Sequence, residues 1–305
     1  MTPRRVVAGY LILQAIGIAA WWCLLVLHPL SIAWFQPAGW PKETLLGFWL
    51  ADLVLLCSGS ALTAFAVLRA LPWAPTAIGA LTVAAAYPTL YCLGVSLLTG
   101  QAWLASAMMA VMAGLTLAMA TIYGTGQQAP AAIRVTPLGR SAALFWTGTQ
   151  IVVFWGVFLG ILPLGIVELE QHWGGPRLVH AGQSIAALTL FAAASGLGLW
   201  SGVAMAMSGE GTPLPTATAP KLVVSGPYRF VRNPMALAGI LQGVAVGWWL
   251  GSWGVLAYAL AGAAVWHGCV RPIEEADLRR RFGSDYEQYQ SSVRLWIPVR
   301  SARVK

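Results

Sequence analysis

Long apolar runs alternate along the chain with short polar breaks. Runs of about the 20 residues that a transmembrane helix needs cover 6–28, 46–68, 73–98, 102–123, 141–163 and 183–207, and shorter ones follow at 234–250 and 253–270. A membrane β-barrel would instead show short segments of alternating polarity, so the pattern predicts eight helices. Only Gly251-Ser252 parts the last two runs, which predicts a tight helical hairpin with Trp248, Trp249 and Trp253 at its turn, where an interfacial aromatic belt belongs. Beyond 270 the pattern changes. Leu278, Phe282, Tyr286 and Tyr289 recur at helical spacing among charged residues, which predicts an amphipathic helix over 273–290. Pro272 is expected to start that helix, because it would disrupt the preceding one, and Gly283 is a candidate stop.

Composition agrees with this reading. Of 305 residues 58% are hydrophobic and 9% charged, and the mean hydropathy is +0.70. Soluble domains carry roughly 25% charged residues, so a soluble enzyme, a disordered chain and a disulfide scaffold are excluded. The fold class is all-α: a polytopic membrane helical bundle of about eight transmembrane helices with a C-terminal amphipathic cytoplasmic helix. Cys23, Cys57, Cys92 and Cys269 lie inside apolar runs, and neither they nor His28, His172 and His180 have metal-ligand spacing.

Net charge is +8, and its placement carries more information than its sum. With the N-terminus in the cytoplasm, sixteen of the eighteen Lys and Arg residues fall on the inner side, and only Lys42 and Arg177 fall outside. The positive-inside rule then places both termini in the cytoplasm of a plasma membrane, with a bacterial one expected. The charge reflects topology and attraction to anionic lipid, not nucleic acid. The first run is read as an uncleaved span and not a signal peptide, since it is long, carries Trp21 and Trp22 and lacks a clean small-x-small cleavage site. A composition shift over 126–140 marks a linker between a four-span region at 1–125, whose role is not legible, and a four-span region at 141–305 with its C-terminal helix and tail.

Polar residues gather at the cytoplasmic end of the last three spans. Before the seventh run stands Gly226-Pro227-Tyr228-Arg229-Phe230-Val231-Arg232-Asn233-Pro234-Met235. Pro234 suits a first helical turn, whose free N–H groups and two nearby arginines favour a carboxylate or phosphate. The same arginines also satisfy the positive-inside rule alone. After the eighth run stand Glu274 and Glu275; Glu275 falls within the apolar stripe and Glu274 at its edge. A carboxylate on a packed face needs a partner, although acidic residues at a helix start are also common. His267 lies seven residues before Glu274 and four before Arg271. Asp52, inside the second run, is an intramembrane acid and so a candidate in its own right.

Several of these motifs occur together in one known family. Gly211-Thr212-Pro213, GPYRFVRNPM at 226–235, Glu274-Glu275 with Leu278, Arg281-Phe282-Gly283, Tyr286, Tyr289 and VRLWIP at 293–298 resemble the integral membrane methyltransferases related to isoprenylcysteine carboxyl methyltransferase and phospholipid N-methyltransferase. The resemblance covers the last third of the chain by motif, and the fifth and sixth spans by topology. It implies S-adenosylmethionine as cofactor, held at the cytoplasmic face by membrane helices. Carried over, the cofactor-binding candidates are Tyr228, Arg229, Arg232, Asn233, Pro234, Gly239, Glu274 and Glu275, with His267 where relatives often place a histidine; Arg232 and Glu275 are the catalytic candidates. The implied methyl acceptor is a lipid or other lipophilic membrane-associated molecule bearing a carboxylate or an amine. Two departures stand out: Ala236 occupies a position where many members carry Tyr, and Arg271-Pro272 replace residues that are usually apolar or aromatic. Two other readings stay open at this level, an NADPH-dependent sterol or lipid reductase and a catalytically degenerate membrane module.

The charge asymmetry makes the topology testable. Cysteines placed at Gly174 and Ser301 are expected to react with an impermeant reagent from opposite faces of the membrane. Equal labelling of both in intact cells would refute the eight-span arrangement.

Overall fold

A computed structural model of the chain describes residues 3–127, 140–209 and 221–298. Most of the 126–140 linker, the Gly211-Thr212-Pro213 motif and the tail beyond Pro298 lie outside the described residues. The described residues form helices: α1 (Pro3–Leu27), α2 (Lys42–Leu68), α3 (Ala74–Thr99), α4 (Trp103–Gln127), α5 (Ser141–His172), α6 (Gln183–Gly209), α7 (Pro234–Leu250) and α8 (Trp253–Ser292). No β-sheet occurs among them; a lone antiparallel bridge joins Arg177 and Ser252. Seven of the helices are long and apolar enough to cross a membrane, the architecture of an integral membrane protein. The exception, α7, has 17 residues, and at 1.5 Å per residue it is about 25 Å long, short of a typical ~30 Å hydrocarbon core.

These residues divide into two compact units. The first holds α1–α4 and Leu164–Trp173, the end of α5 and the residue that follows it. Val7, Leu11, Val67, Ile78, Leu81 and Tyr123 are core residues of this unit. Several of its polar groups are paired between helices, as a low-dielectric interior favours. Thr116 Oγ1 lies 3.0 Å from the Tyr10 hydroxyl and 2.9 Å from Gln14 Oε1. Asp52 accepts from Trp22 Nε1 at 3.2 Å. Glu168 accepts from the backbone N–H groups of Ala102 (2.8 Å) and Leu104 (2.6 Å), capping the start of α4 with a charge of the sign its dipole favours.

The second unit holds α5 up to Pro163 together with α6, α7 and α8. Small residues let its helices approach closely. A Cβ at Gly198 of α6 would sit 3.4 Å from Ala238 of α7, and one at Gly243 of α7 would sit 3.0 Å from Ala259 of α8. Gln242 donates to Ser195 Oγ at 2.9 Å within the same packing. The hairpin expected between α7 and α8 is present. Gly251 turns the chain at φ +64°, and Ser252 caps α8 by accepting from Val255 N at 2.9 Å. Trp249 and Trp253 flank the turn, exposed. Gly251 O accepts from Leu178 N at 2.9 Å, and Gln183 Nε2 donates to Trp248 O at 2.6 Å, tying the turn to the approach to α6.

Pro272 does not start a new helix. Val270 (φ −79°, ψ −50°) and Arg271 (φ −53°, ψ −47°) keep helical geometry, and α8 runs on through the proline. The turn just before it, Trp266–Val270, widens to a π turn, which accommodates the ring and the missing N–H. The break falls instead at Gly283, whose φ of 50° and ψ of −126° only glycine adopts readily.

Gly251 supplies a direct test of this framework. A Cβ there would approach Leu178 O to 2.4 Å and would hold a positive φ. Gly251→Ala is expected to cost about 1–3 kcal/mol and to lower the thermal midpoint in detergent. Gly262→Ala, where nothing lies within 4 Å of the added methyl, leaves the midpoint unchanged.

Candidate functional site

Two stretches of the second unit, 226–236 and 267–296, meet at the start of α7. Pro227 and Tyr228 are buried in a short 3₁₀ turn, Gly226–Arg229. The turn is pinned by the Tyr289 hydroxyl, which donates to Tyr228 O at 2.7 Å. Arg232 N then donates to Arg294 O at 3.0 Å, fastening the approach to α7 against the segment after α8. Asn233 is the N-cap of α7: its Oδ1 accepts from Ala236 N at 3.0 Å, and Pro234 follows at the first position, where no N–H is needed. The other end of the same amide reaches α8, with Asn233 Nδ2 donating to Glu274 Oε2 at 3.4 Å.

The α8 side of the site is held by its apolar stripe. Tyr286, Tyr289 and Val293 are buried, with Leu278, Phe282, Leu222 and Val224 packed against them. The stripe expected over 278–289 therefore faces protein. With α8 continuous through Pro272, His267, Arg271 and Glu275 are joined along one side: Arg271 Nε donates to His267 O at 3.1 Å and its Nη1 lies 3.7 Å from Glu275 Oε1.

Glu275 is the centre of the charge arrangement. Its side chain is 11% exposed and faces three guanidinium groups: Arg232 at 3.4 Å, Arg271 at 3.7 Å and Arg279 at 3.5 Å. Arg279 also donates to Gln290 Oε1 at 3.0 Å, spanning the kink at Gly283. Arg232 has its Nε buried with no hydrogen-bond partner among the described residues. Asp277, also buried, is paired with Arg280 and with Arg281 at 3.4 Å. Glu274 is exposed to solvent along part of its side chain, yet desolvation by the protein around it and, secondarily, the Glu275 charge push its carboxyl up to about 7. Burial raises the Tyr228 and Tyr289 phenols well above their usual range, so both stay neutral donors.

Of the residues singled out in sequence, the structure brings Tyr228, Arg232, Asn233, Pro234, Glu274 and Glu275 into one place. Arg229 lies exposed at the end of the 3₁₀ turn. His267 is two turns up α8 and exposed; its Nδ1 accepts from Trp296 Nε1 at 3.4 Å, and Trp296 also packs edge-on against Trp266. A Cβ added at Gly239 would lie 3.8 Å from the ring of Phe154, ordinary contact distance, so space there does not demand a glycine. Arg271 and Arg279 were not among the sequence candidates, although the i, i+4 spacing of Arg271, Glu275 and Arg279 on a single helix was a usable signal.

A protein-family model for phospholipid methyltransferases, PEMT, matches residues 183–285, a third of the chain. The matched stretch runs from the start of α6 to just beyond the kink in α8, and so contains Tyr228, Arg232, Asn233, Glu274 and Glu275. This part of the chain is similar to membrane methyltransferases of that family. Neither a curated protein nor a solved structure matches the chain.

Glu274 gives the site a pH signature. Its carboxyl titrates higher in the folded protein than the ordinary 4.5, so ionising it opposes folding. Its contribution to stability is most favourable below about 4.5 and declines as pH rises through about 7. Glu274→Gln removes that decline. The thermal midpoint of the variant relative to the unsubstituted protein is expected to rise between pH 4.5 and 7 and to level off above. A difference independent of pH would refute the raised carboxyl.

Proposed function

We propose that the protein is an integral membrane methyltransferase that uses S-adenosylmethionine, acting at the cytoplasmic face on a lipid or other membrane-associated acceptor. One observation carries the reading: the stretch similar to phospholipid methyltransferases is the stretch in which Arg232, Glu274 and Glu275 converge. The first four spans are left outside this assignment.

The residues present fit the amino-acid end of such a cofactor. That end carries one carboxylate and one ammonium. Arg232 has a buried Nε–H without a hydrogen-bond partner among the described residues, suited to a carboxylate. Glu274 and Glu275 supply the opposite charge one short reach away. When bound, the cofactor supplies a methyl group already made electrophilic by its sulfonium, so the protein's task is to orient the acceptor and exclude water. Arg232 binds and orients; Asn233 holds Glu274 in place while capping α7. Glu274, titrating near 7, is suited to take a proton at its carboxylate from an amine acceptor, whereas a carboxylate acceptor needs no base. Lateral entry from the bilayer suits an acceptor with an apolar body.

Binding measurements in detergent test the proposal. S-adenosylhomocysteine is expected to raise the thermal midpoint and NADPH to leave it unchanged; the reverse would favour a reductase. Glu275→Gln and Arg232→Ala are each expected to weaken S-adenosylhomocysteine about 10–100-fold, the loss of one charge-assisted hydrogen bond. Unchanged affinity in both variants would remove these residues from the site.

A further inference from the structure

Arg232 is held at both its backbone and its side chain, and the two sets of contacts lead to one residue. Its guanidinium stands 3.4 Å from Glu275 Oε1. The same oxygen lies 3.7 Å from Arg271 Nη1, and Arg271 Nε donates to His267 O at 3.1 Å. At the backbone, Arg232 N donates to Arg294 O at 3.0 Å. Arg294 sits in a short strap after α8, between two anchors. Val293, 1% exposed, is sunk in the apolar stripe and donates its N–H to Tyr289 O at 3.0 Å. Trp296 donates its indole N–H to His267 Nδ1 at 3.4 Å and packs edge-on against Trp266, with ring centroids 5.2 Å apart. Both sets of contacts therefore reach His267, one at its carbonyl and one at its ring. Accepting at Nδ1 leaves the proton of the neutral imidazole on Nε2. Without the Trp296 anchor, the carbonyl that holds Arg232 is fixed from the Val293 side alone.

We infer that Trp296 and His267 are positioning residues for Arg232. Their hydrogen bond holds the strap whose Arg294 carbonyl sets the backbone of Arg232, and so presents the guanidinium to the amino-acid end of S-adenosylmethionine. The assignment rests on the cofactor reading above. It moves His267, a cofactor-binding candidate by resemblance, from ligand contact to support. The chemistry favours that move, because the one ring nitrogen with a free lone pair in the neutral form is engaged by Trp296. It also gives the VRLWIP segment at 293–298 a task at the site.

Calorimetry in detergent with two ligands tests the assignment. S-adenosylhomocysteine carries the amino-acid end, and 5′-methylthioadenosine lacks it. Trp296→Phe keeps a ring against Trp266 and removes the N–H. His267→Ala removes the acceptor and keeps the backbone carbonyl that holds Arg271. Each is expected to weaken S-adenosylhomocysteine about 3–10-fold, the worth of one hydrogen bond, and to leave 5′-methylthioadenosine unchanged. The double variant loses no more than either single one, because both break the same link. His267→Asn, which offers an amide oxygen in place of Nδ1, restores the affinity. Unchanged S-adenosylhomocysteine binding by Trp296→Phe, an equal loss for both ligands, or additive losses in the double variant overturns the assignment while leaving the cofactor reading intact. If the unsubstituted protein binds neither ligand, the cofactor reading fails and this assignment falls with it.

Discussion

A carboxylate withdrawn from water has to be matched by positive charge, and in the second unit that constraint bears on Glu275. Removing an ion of this size from water costs several kcal/mol, which only close and well-placed countercharges offset. Three arginines supply them, and each comes from a different part of the local structure: Arg232 from the approach to α7, Arg271 from just after the π turn, and Arg279 from the turn before the Gly283 kink. Geometry elsewhere follows from bringing them together. Arg232 is placed by its backbone bond to Arg294, and Arg271 points toward Glu275 because the helix does not break at Pro272.

The same constraint explains why the start of α7 is so fully tied down. Asn233 serves the helix with its oxygen and Glu274 with its nitrogen, so one side chain joins the capping of α7 to the acidic pair of α8. The 3₁₀ turn before it is held by Tyr289, and Tyr289 is held by the apolar stripe. A polar cluster is thus carried on an apolar scaffold. The stripe orders the 271–298 segment, that segment orders the approach to α7, and the charges meet where the two converge. The close contacts of Gly243 with Ala259 and of Gly247 with Leu256 keep α7 and α8 side by side up to the Gly251 turn.

Much of this was legible along the chain because it rests on local rules. Apolar runs of fixed length report spanning helices, since no other element but a closed barrel satisfies its backbone in lipid. The hairpin at Gly251-Ser252, the first-turn Pro234, the inward stripe and the stop at Gly283 follow from residue type and spacing. Placing Glu275 inside the stripe followed from helical periodicity, and its burial agrees. Which residues meet it did not follow. Arg232 lies 43 positions away from Glu275, and no periodicity relates them. The reach of Arg279 across a kink to Gln290 depends on the dihedral angles of Gly283.

Pro272 shows the boundary between the two kinds of information most clearly. By local rule a proline ends a helix, because it lacks an N–H and its ring crowds the preceding turn. In the folded chain a π turn one step earlier relieves both problems, and the helix carries His267, Arg271 and Glu275 along one side. The sequence by itself determined the class of protein, its helices, the apolar stripe and the residues able to carry charge or donate hydrogen bonds. Only the tertiary structure decided that the Tyr289 hydroxyl is spent on the backbone of Tyr228, and that three guanidinium groups share one carboxylate. Those outcomes depend on distances between segments far apart in sequence, which helical periodicity does not encode.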